Sequence, residues 1–223
     1  LTRAALLRGT PVGFVSLEME RTALMRRLIA ADACVNTKRP DLWTDADGVK
    51  MHGAVGRLSG SPIWIDDRGG LNIRQLRSRM REMVASYGCQ ILFVDYLQLV
   101  SGVSRKSDSN RTFEVGEVSA GLKAAAKELG VPVVTASQLG RDVEKQERVP
   151  RLSDLRESGA IEQDADFVGL LYRPTTDPDR LEQEDRAFDY PVNLMVGKQR
   201  DGERGRVIKL RFLAKWQRFE ERP

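Results

Sequence analysis

The chain is poor in the residues that most often carry metal and redox chemistry. Its 223 residues include one histidine, His52, and two cysteines, Cys34 and Cys89. The cysteines lie far apart with no C-x-x-C spacing, so a structural disulfide is not expected and a reducing, cytoplasmic setting is favoured. A zinc site takes several Cys or His ligands, which three scattered residues do not supply, and any catalytic metal must be held by oxygen, as Mg²⁺ is. Long hydrophobic runs are missing too: Phe167 to Tyr172 falls far short of the roughly 20 apolar residues of a membrane-spanning helix. The opening Leu1 to Arg8 has no signal-peptide core and reads as the middle of a helix, as in a segment of something longer. Neither sign of charge dominates, with 36 Lys+Arg against 32 Asp+Glu, and a net +4 is too common to argue for nucleic acid by itself. What is present is an ordinary core: 41% hydrophobic residues exclude general disorder and fit one large domain over residues 1–223.

Apolar runs alternate with helical patterns. Strands are expected at Val12–Leu17, Ile63–Ile65, Ile91–Val94, Val131–Ala136 and Phe167–Tyr172. Between them, helices run through Ala23, Leu24, Leu28 and Ile29, through Ile73, Leu76, Met80 and Met83 up to a C-cap at Gly88, over about 113–129, and near 159–164. Val192–Val196 and Val207–Phe212 flank Asp201-Gly202-Glu203-Arg204-Gly205, which signals a hairpin. Continuous apolar strands alternating with helices imply an α/β fold: a mostly parallel sheet with helices on both faces and an antiparallel C-terminal edge. The polar stretches 101–112, 139–152 and 174–189 read as surface segments, the first two mobile. There is no internal repeat.

In an open parallel sheet, ligands bind beyond the carboxyl ends of the strands. The residues that follow the apolar runs there are Glu18, Asp95 and Ser137-Gln138. Singly, each reads as a cap or turn former. Together they suit nucleotide hydrolysis. Four apolar residues and then Asp95 make a Walker B pattern, whose carboxylate holds Mg²⁺. Glu18 is placed to polarise an attacking water, and the Gln138 amide can contact a γ-phosphate. A phosphate cradle of the G-x-x-x-x-G-K-[ST] type does not occur within these residues; Gly197-Lys198 is followed by Gln199.

Five segments carry a family resemblance: Val15-Ser16-Leu17-Glu18-Met19, Val94 to Leu99, Ala136 to Leu139, the run Leu152 to Asp166 (LSDLRESGAIEQDAD), and Lys198-Gln199-Arg200-Asp201-Gly202. In this order they resemble the C-terminal, RecA-like motor domain of the DnaB-type replicative DNA helicases, and the fifteen-residue run is the most specific part. The resemblance implies that Glu18 is the water-polarising carboxylate, Asp95 the Mg²⁺ ligand and Gln138 the γ-phosphate sensor. It implies that Lys198 and Arg200 form a finger reaching the ATP of a neighbouring subunit, that Arg27 is a further phosphate contact, and that Arg156, Glu157 and Gly159 hold single-stranded DNA. It also implies ATP and Mg²⁺ as cofactors, a homo-hexamer, and a primase and a helicase loader as partners, without a membrane. The family's P-loop sits just before the helix with which these residues open, so the 223 residues alone are expected to be inactive.

Plainer readings stand beside these. Lys198-Gln199-Arg200 before Asp-Gly is also an ordinary solvated hairpin tip, and Ser153 is also a helix N-cap. The cluster Arg74, Arg77, Arg79 and Arg81 reads as a solvated face or subunit contact before it reads as a DNA patch. With 6% aromatics, a grip that tracks phosphates suits this chain better than base stacking. A RecA-like recombination or repair ATPase, or an oligomerisation and partner-binding module, are the alternative functions.

Overall fold

A strand buried on both faces needs cover on both sides of its sheet, and β1 (Val12–Ser16) is buried along its whole length. The computed structural model describes residues 1–37, 39–103, 111–140, 148–155, 159–174, 182–183 and 188–222. They fall into two compact units, one comprising Leu1–Met25, Arg57–Leu139 and Leu155–Ala165, the other Arg26–Gly56, Gly140–Asp154 and Asp166–Pro223.

The first unit holds a parallel sheet of β1, β2 (Ile63–Asp66), β3 (Ile91–Asp95) and β4 (Val133–Thr135) in the order β2-β1-β3-β4. The central pair runs in register from Val12 opposite Ile91 to Ser16 opposite Asp95. On one face the Phe14 and Phe93 rings stack at 6.0 Å. On the other, Gly13 leaves room for a helix: a Cβ there would lie 2.5 Å from Leu92 Cδ2 and 2.8 Å from Met83 Sδ.

That helix, α4 (Ile73–Tyr87), follows from its sequence. Asn72 and Gln75 form a reciprocal capping box, Ile73, Leu76, Met80 and Met83 make the buried stripe, and Gly88 closes the helix in the left-handed conformation. It packs on α5 (Arg111–Leu129), where Gly121 leaves space for Ile73. Glu128 of α5 takes both Arg77 (2.7 Å) and Arg81 (2.5 Å), and Arg79 pairs with Glu82 at 3.0 Å. Three of the four arginines singled out from the sequence are thus neutralised by carboxylates, as a structural face requires. Further helices are α1 (Thr2–Leu7), ahead of β1, and α6 (Gly159–Asp164), whose Ala160 sits against Gly116 of α5.

In the second unit β5 (Phe167–Tyr172), β6 (Asp189–Gln199), β7 (Val207–Leu213) and β8 (Arg218–Glu221) pair antiparallel in chain order. The expected antiparallel C-terminal part is therefore a four-stranded sheet of its own, and β5 belongs to it rather than continuing the parallel series. Its residues alternate between exposed and buried, the pattern of a sheet with one packed face. Tyr190, Phe212 and Phe219 ladder across three strands at 6.1 and 4.6 Å. The hairpin joining β6 to β7 turns through Gly205 at φ 79°.

Two elements had no counterpart in the periodicity. Helix α3 (Asp45–Ser59) contains Gly48, Gly53 and Gly56, which dilute its apolar pattern, yet Thr44 and Asp47 cap it reciprocally. The four residues of β8 are too short and polar to stand out. Helix α2 (Arg21–Ala33) supplies Ile29 and Ala33 to a small cluster with Val35, Met51 and Ala54.

These packings predict opposite outcomes for two glycines. Gly13→Val should destabilise the fold by about 1–3 kcal/mol through overpacking against Leu92 and Met83. Gly48→Ala, where an added Cβ meets nothing within 4 Å, should stabilise it by about 1 kcal/mol. Urea unfolding of the two variants checks both; equal effects would contradict the packing described.

Candidate active site

Where parallel strands end together, the residues just beyond them are neighbours. Ser16 is opposite Asp95, and the Leu17 N–H donates to the Asp95 carbonyl at 3.0 Å, which sets Glu18 one step beyond this rung. The Leu97 N–H donates to the Ala136 carbonyl at 3.0 Å, which sets Ser137 and Gln138 beyond the end of β4. Three residues read from the sequence are thereby gathered at one edge of the first unit: Glu18 and Gln138 exposed, Asp95 half-buried. The Asp95–Tyr96 peptide is cis.

Other carboxylates share that edge but are committed to packing. Asp66, at the end of β2, is buried and held by Arg68 Nη2 at 2.5 Å and Nε at 2.8 Å. The Arg68 guanidinium is the largest cause that keeps the Asp66 carboxyl below its ordinary range. Asp67 accepts from the Arg21 main-chain N–H at 2.9 Å and from its guanidinium at 3.0 Å. Among the described residues, no hydrogen bond or ion pair is formed with the Glu18 carboxylate. No group of three or more His, Cys, Asp or Glu side chains converges as a metal cage among the described residues. A half-buried carboxylate such as Asp95 suits Mg²⁺, which needs only one or two protein carboxylates and keeps waters and substrate phosphates as its other ligands.

Lys198 and Arg200, for which the resemblance implies a finger, lie in the second unit. Lys198, half-buried, is the last residue but one of β6, opposite Val168, and Arg200 follows in the turn. Arg200 Nη1 pairs with Asp166 Oδ1 at 2.9 Å, and its main-chain N–H donates to the Asp166 carbonyl, also at 2.9 Å. Arg27 is exposed on α2, in the same unit. Arg156 and Glu157 lie outside the described residues. Gly159 starts α6, where a Cβ would meet nothing within 4 Å, so packing does not demand a glycine there.

Two residues around these groups were not singled out from the sequence. Gln98, just past Asp95, donates from Nε2 to Ser137 Oγ at 2.9 Å. Asp154 accepts from Arg148 Nη1 and Nη2, each at 2.6 Å, and from the Arg151 N–H at 2.6 Å. Ser153 lies in a short 3-10 turn, Leu152–Asp154, and it is Asp154 that does the tethering.

The DnaB-like helicase C-terminal domain model matches residues 1–221. The chain belongs to this family. It is 40% identical over 211 residues to the replicative DNA helicase DnaC of Bacillus subtilis, and 39% identical over 211 residues to DnaB of Geobacillus stearothermophilus. Each alignment covers 93% of this chain and 45% of the relative, so the chain spans just under half the length of these proteins. Among solved structures, the ATPase domain of G40P superposes with a TM-score of 0.85 at 33% identity, covering 99% of this chain and 78% of that one. A DnaB-like replicative helicase, solved in a study of its interactions with primase, gives 0.82 at 33% identity and covers 95% and 50%. The RecA-like α/β reading of the DnaB-type domain therefore holds.

The tether at Asp154 makes a pH prediction. Chiefly through the Arg148 guanidinium, its carboxyl is lowered to about 2, against about 3.9 in an unfolded chain. Its contribution to stability is therefore complete above pH ~4 and is lost as the pH falls from ~4 toward ~2. Asp154→Asn should be less stable than the parent at pH 5, with the gap closing by pH 2.5. Urea midpoints across that range test this, and a gap that does not change with pH would contradict it.

Proposed function

We propose that residues 1–223 act as one motor domain of a hexameric, ATP-dependent replicative helicase that moves along single-stranded DNA and unwinds duplex in the cytoplasm. The observation that carries the reading is the meeting of Glu18, Asp95 and Gln138 beyond adjacent parallel strands, in a chain of the DnaB-like family. ATP is the substrate at that edge. Asp95 would hold Mg²⁺, which neutralises charge on the phosphates when bound. Glu18, whose carboxylate is not tied up by packing, orients the attacking water and draws on its proton. Gln138 presents a carboxamide that can donate to a γ-phosphate oxygen. The phosphate cradle is not among these residues, so the 223-residue segment alone should hydrolyse no ATP above background.

The finger reading assigns Lys198 and Arg200 to the ATP of the next subunit, where their charge meets negative charge that develops in the transition state. Arg27 adds a phosphate contact in this scheme. Arg156, Glu157 and Gly159 would line the path of the single strand, with backbone and guanidinium on phosphates, repeated around the ring. Primase and a helicase loader are the expected protein partners. Leu139 forms a backbone bridge with Leu155, so the residue after the sensor touches the residue before the DNA loop. This contact supports a direct link from γ-phosphate to DNA grip.

In the full-length protein, Arg200→Ala should lower DNA-stimulated turnover on the order of 10³-fold while ring assembly and nucleotide binding persist. Rings mixed from mutant and parent subunits should lose activity more steeply than the mutant fraction; strict proportionality would refute action across a subunit boundary. Arg156→Ala should weaken single-strand binding about equally for all sequences and flatten its salt dependence, with DNA-independent hydrolysis retained. Anisotropy titrations at several salt concentrations, paired with phosphate release, decide this. Loss of basal hydrolysis with unchanged DNA affinity would move Arg156 to the nucleotide site.

A further inference from the structure

Beyond Leu97 the chain no longer pairs through its backbone with the segment that follows β4. The Leu97 N–H makes the last rung with Ala136, and Leu97–Leu99 then winds into a 3-10 turn. The next rung is made by a side chain. Gln98 Nε2 donates to Ser137 Oγ at 2.9 Å, and Gln98 Oε1 accepts from the Gln138 main-chain N–H at a longer 3.4 Å. A carboxamide has the donor and acceptor of a peptide group, so it continues the ladder where the main chain diverges. The arrangement also fixes its own orientation. A main-chain N–H only donates, so Oε1 must face Gln138 and Nε2 must face Ser137.

Gln98 is anchored from behind as well. Its carbonyl accepts from Arg111 Nη2 at the start of α5, and that guanidinium pairs with Glu114. The half-buried residue therefore spans from the end of the Asp95 strand to the sensor, its main chain held by Arg111 and its side chain by Ser137 and Gln138.

We propose that Gln98 is a positioning residue that aims Gln138 and ties the sensor's place to that of Asp95. The proposal rests on the reading of Gln138 as the γ-phosphate sensor. Without the carboxamide, the segment Ser137-Gln138 keeps its covalent path but loses its lateral fix, so the γ-phosphate is read less faithfully. Binding of ATP itself is left to other groups.

The test uses the full-length helicase and the ratio of its single-stranded DNA affinities with ATPγS and with ADP, read by fluorescence anisotropy. Gln98→Met keeps length and removes both hydrogen bonds. It should shrink that ratio by about tenfold, the effect of one or two lost hydrogen bonds, and lower DNA-stimulated kcat with little change in the KM for ATP. Gln98→Glu still accepts from the Gln138 N–H, and Ser137 can turn its hydroxyl to donate, so this variant should recover most of the ratio. In a Ser137→Ala background the Gln98→Met change should cost less than in the parent, because the two share one contact.

Gln138→Ala is the control. If it collapses the ratio and Gln98→Met does not, the positioning role is refuted while the sensor reading stands. If Gln138→Ala leaves the ratio unchanged, the sensor reading fails and this inference with it. If Gln98→Met and Gln98→Glu lose the ratio equally, with matching losses of thermal stability, Gln98 is only structural and the proposal is overturned.

Discussion

One pairing register governs the site. With Val12 opposite Ile91 and Ser16 opposite Asp95, β1 and β3 leave the sheet side by side, and Glu18 and Asp95 come to one edge. Because side chains alternate between faces, a slip of one residue would move every side chain of a strand to the opposite face of the sheet and undo both packed layers. The stacked rings of Phe14 and Phe93 on one face, and Leu92 with Met83 against Gly13 on the other, make such a slip costly. The positions of these two carboxylates are thus a by-product of core packing two to five residues earlier. Pairing of β3 with β4 brings Gln138 to the same edge by the same logic.

The unit sorts its acidic groups by what their neighbours ask of them. Asp66, Asp67 and Glu128 each meet an arginine within 3.0 Å, and the Glu128 carboxyl is lowered to about 2, first by Arg81 and then by Arg77. Each of these groups accepts three hydrogen bonds from arginine donors, which ties it to packing. Glu18 is exposed at a strand exit instead, ahead of α2 and away from the packed stripes. In the second unit Arg200 rests on Asp166 with both side chains more than half exposed. Water screens such a pair, so it orients the guanidinium at small energetic cost and leaves it able to change partner.

Gln98 and Asp154 show what linear reading overlooks. Each lies inside a segment that carries the family resemblance, and neither residue type announces a role. Gln98 matters because the chain turns into a 3-10 helix at that point and leaves a rung unmade. Asp154 matters because Arg148, six residues earlier, returns to meet it. Helix α3 was hidden for a related reason: glycines at three positions blur an apolar pattern, and the reciprocal cap of Thr44 and Asp47 was the local signal that marked its start.

Local composition by itself determined the parallel strands, the α4 stripe with its capping box and left-handed Gly88, and the order of the residues at the strand exits. Each depends on a period, a cap or a terminal residue, and these are written within a few positions of one another. The tertiary structure alone decided three things. It assigned β5 to the antiparallel sheet, because partner choice depends on which strand edge is available. It showed which carboxylates are consumed by arginines distant in sequence, as Glu128 is by Arg77 and Arg81. And it showed that a glutamine side chain completes the ladder between Asp95 and Gln138, because that gap exists only where two strands end and their backbones part.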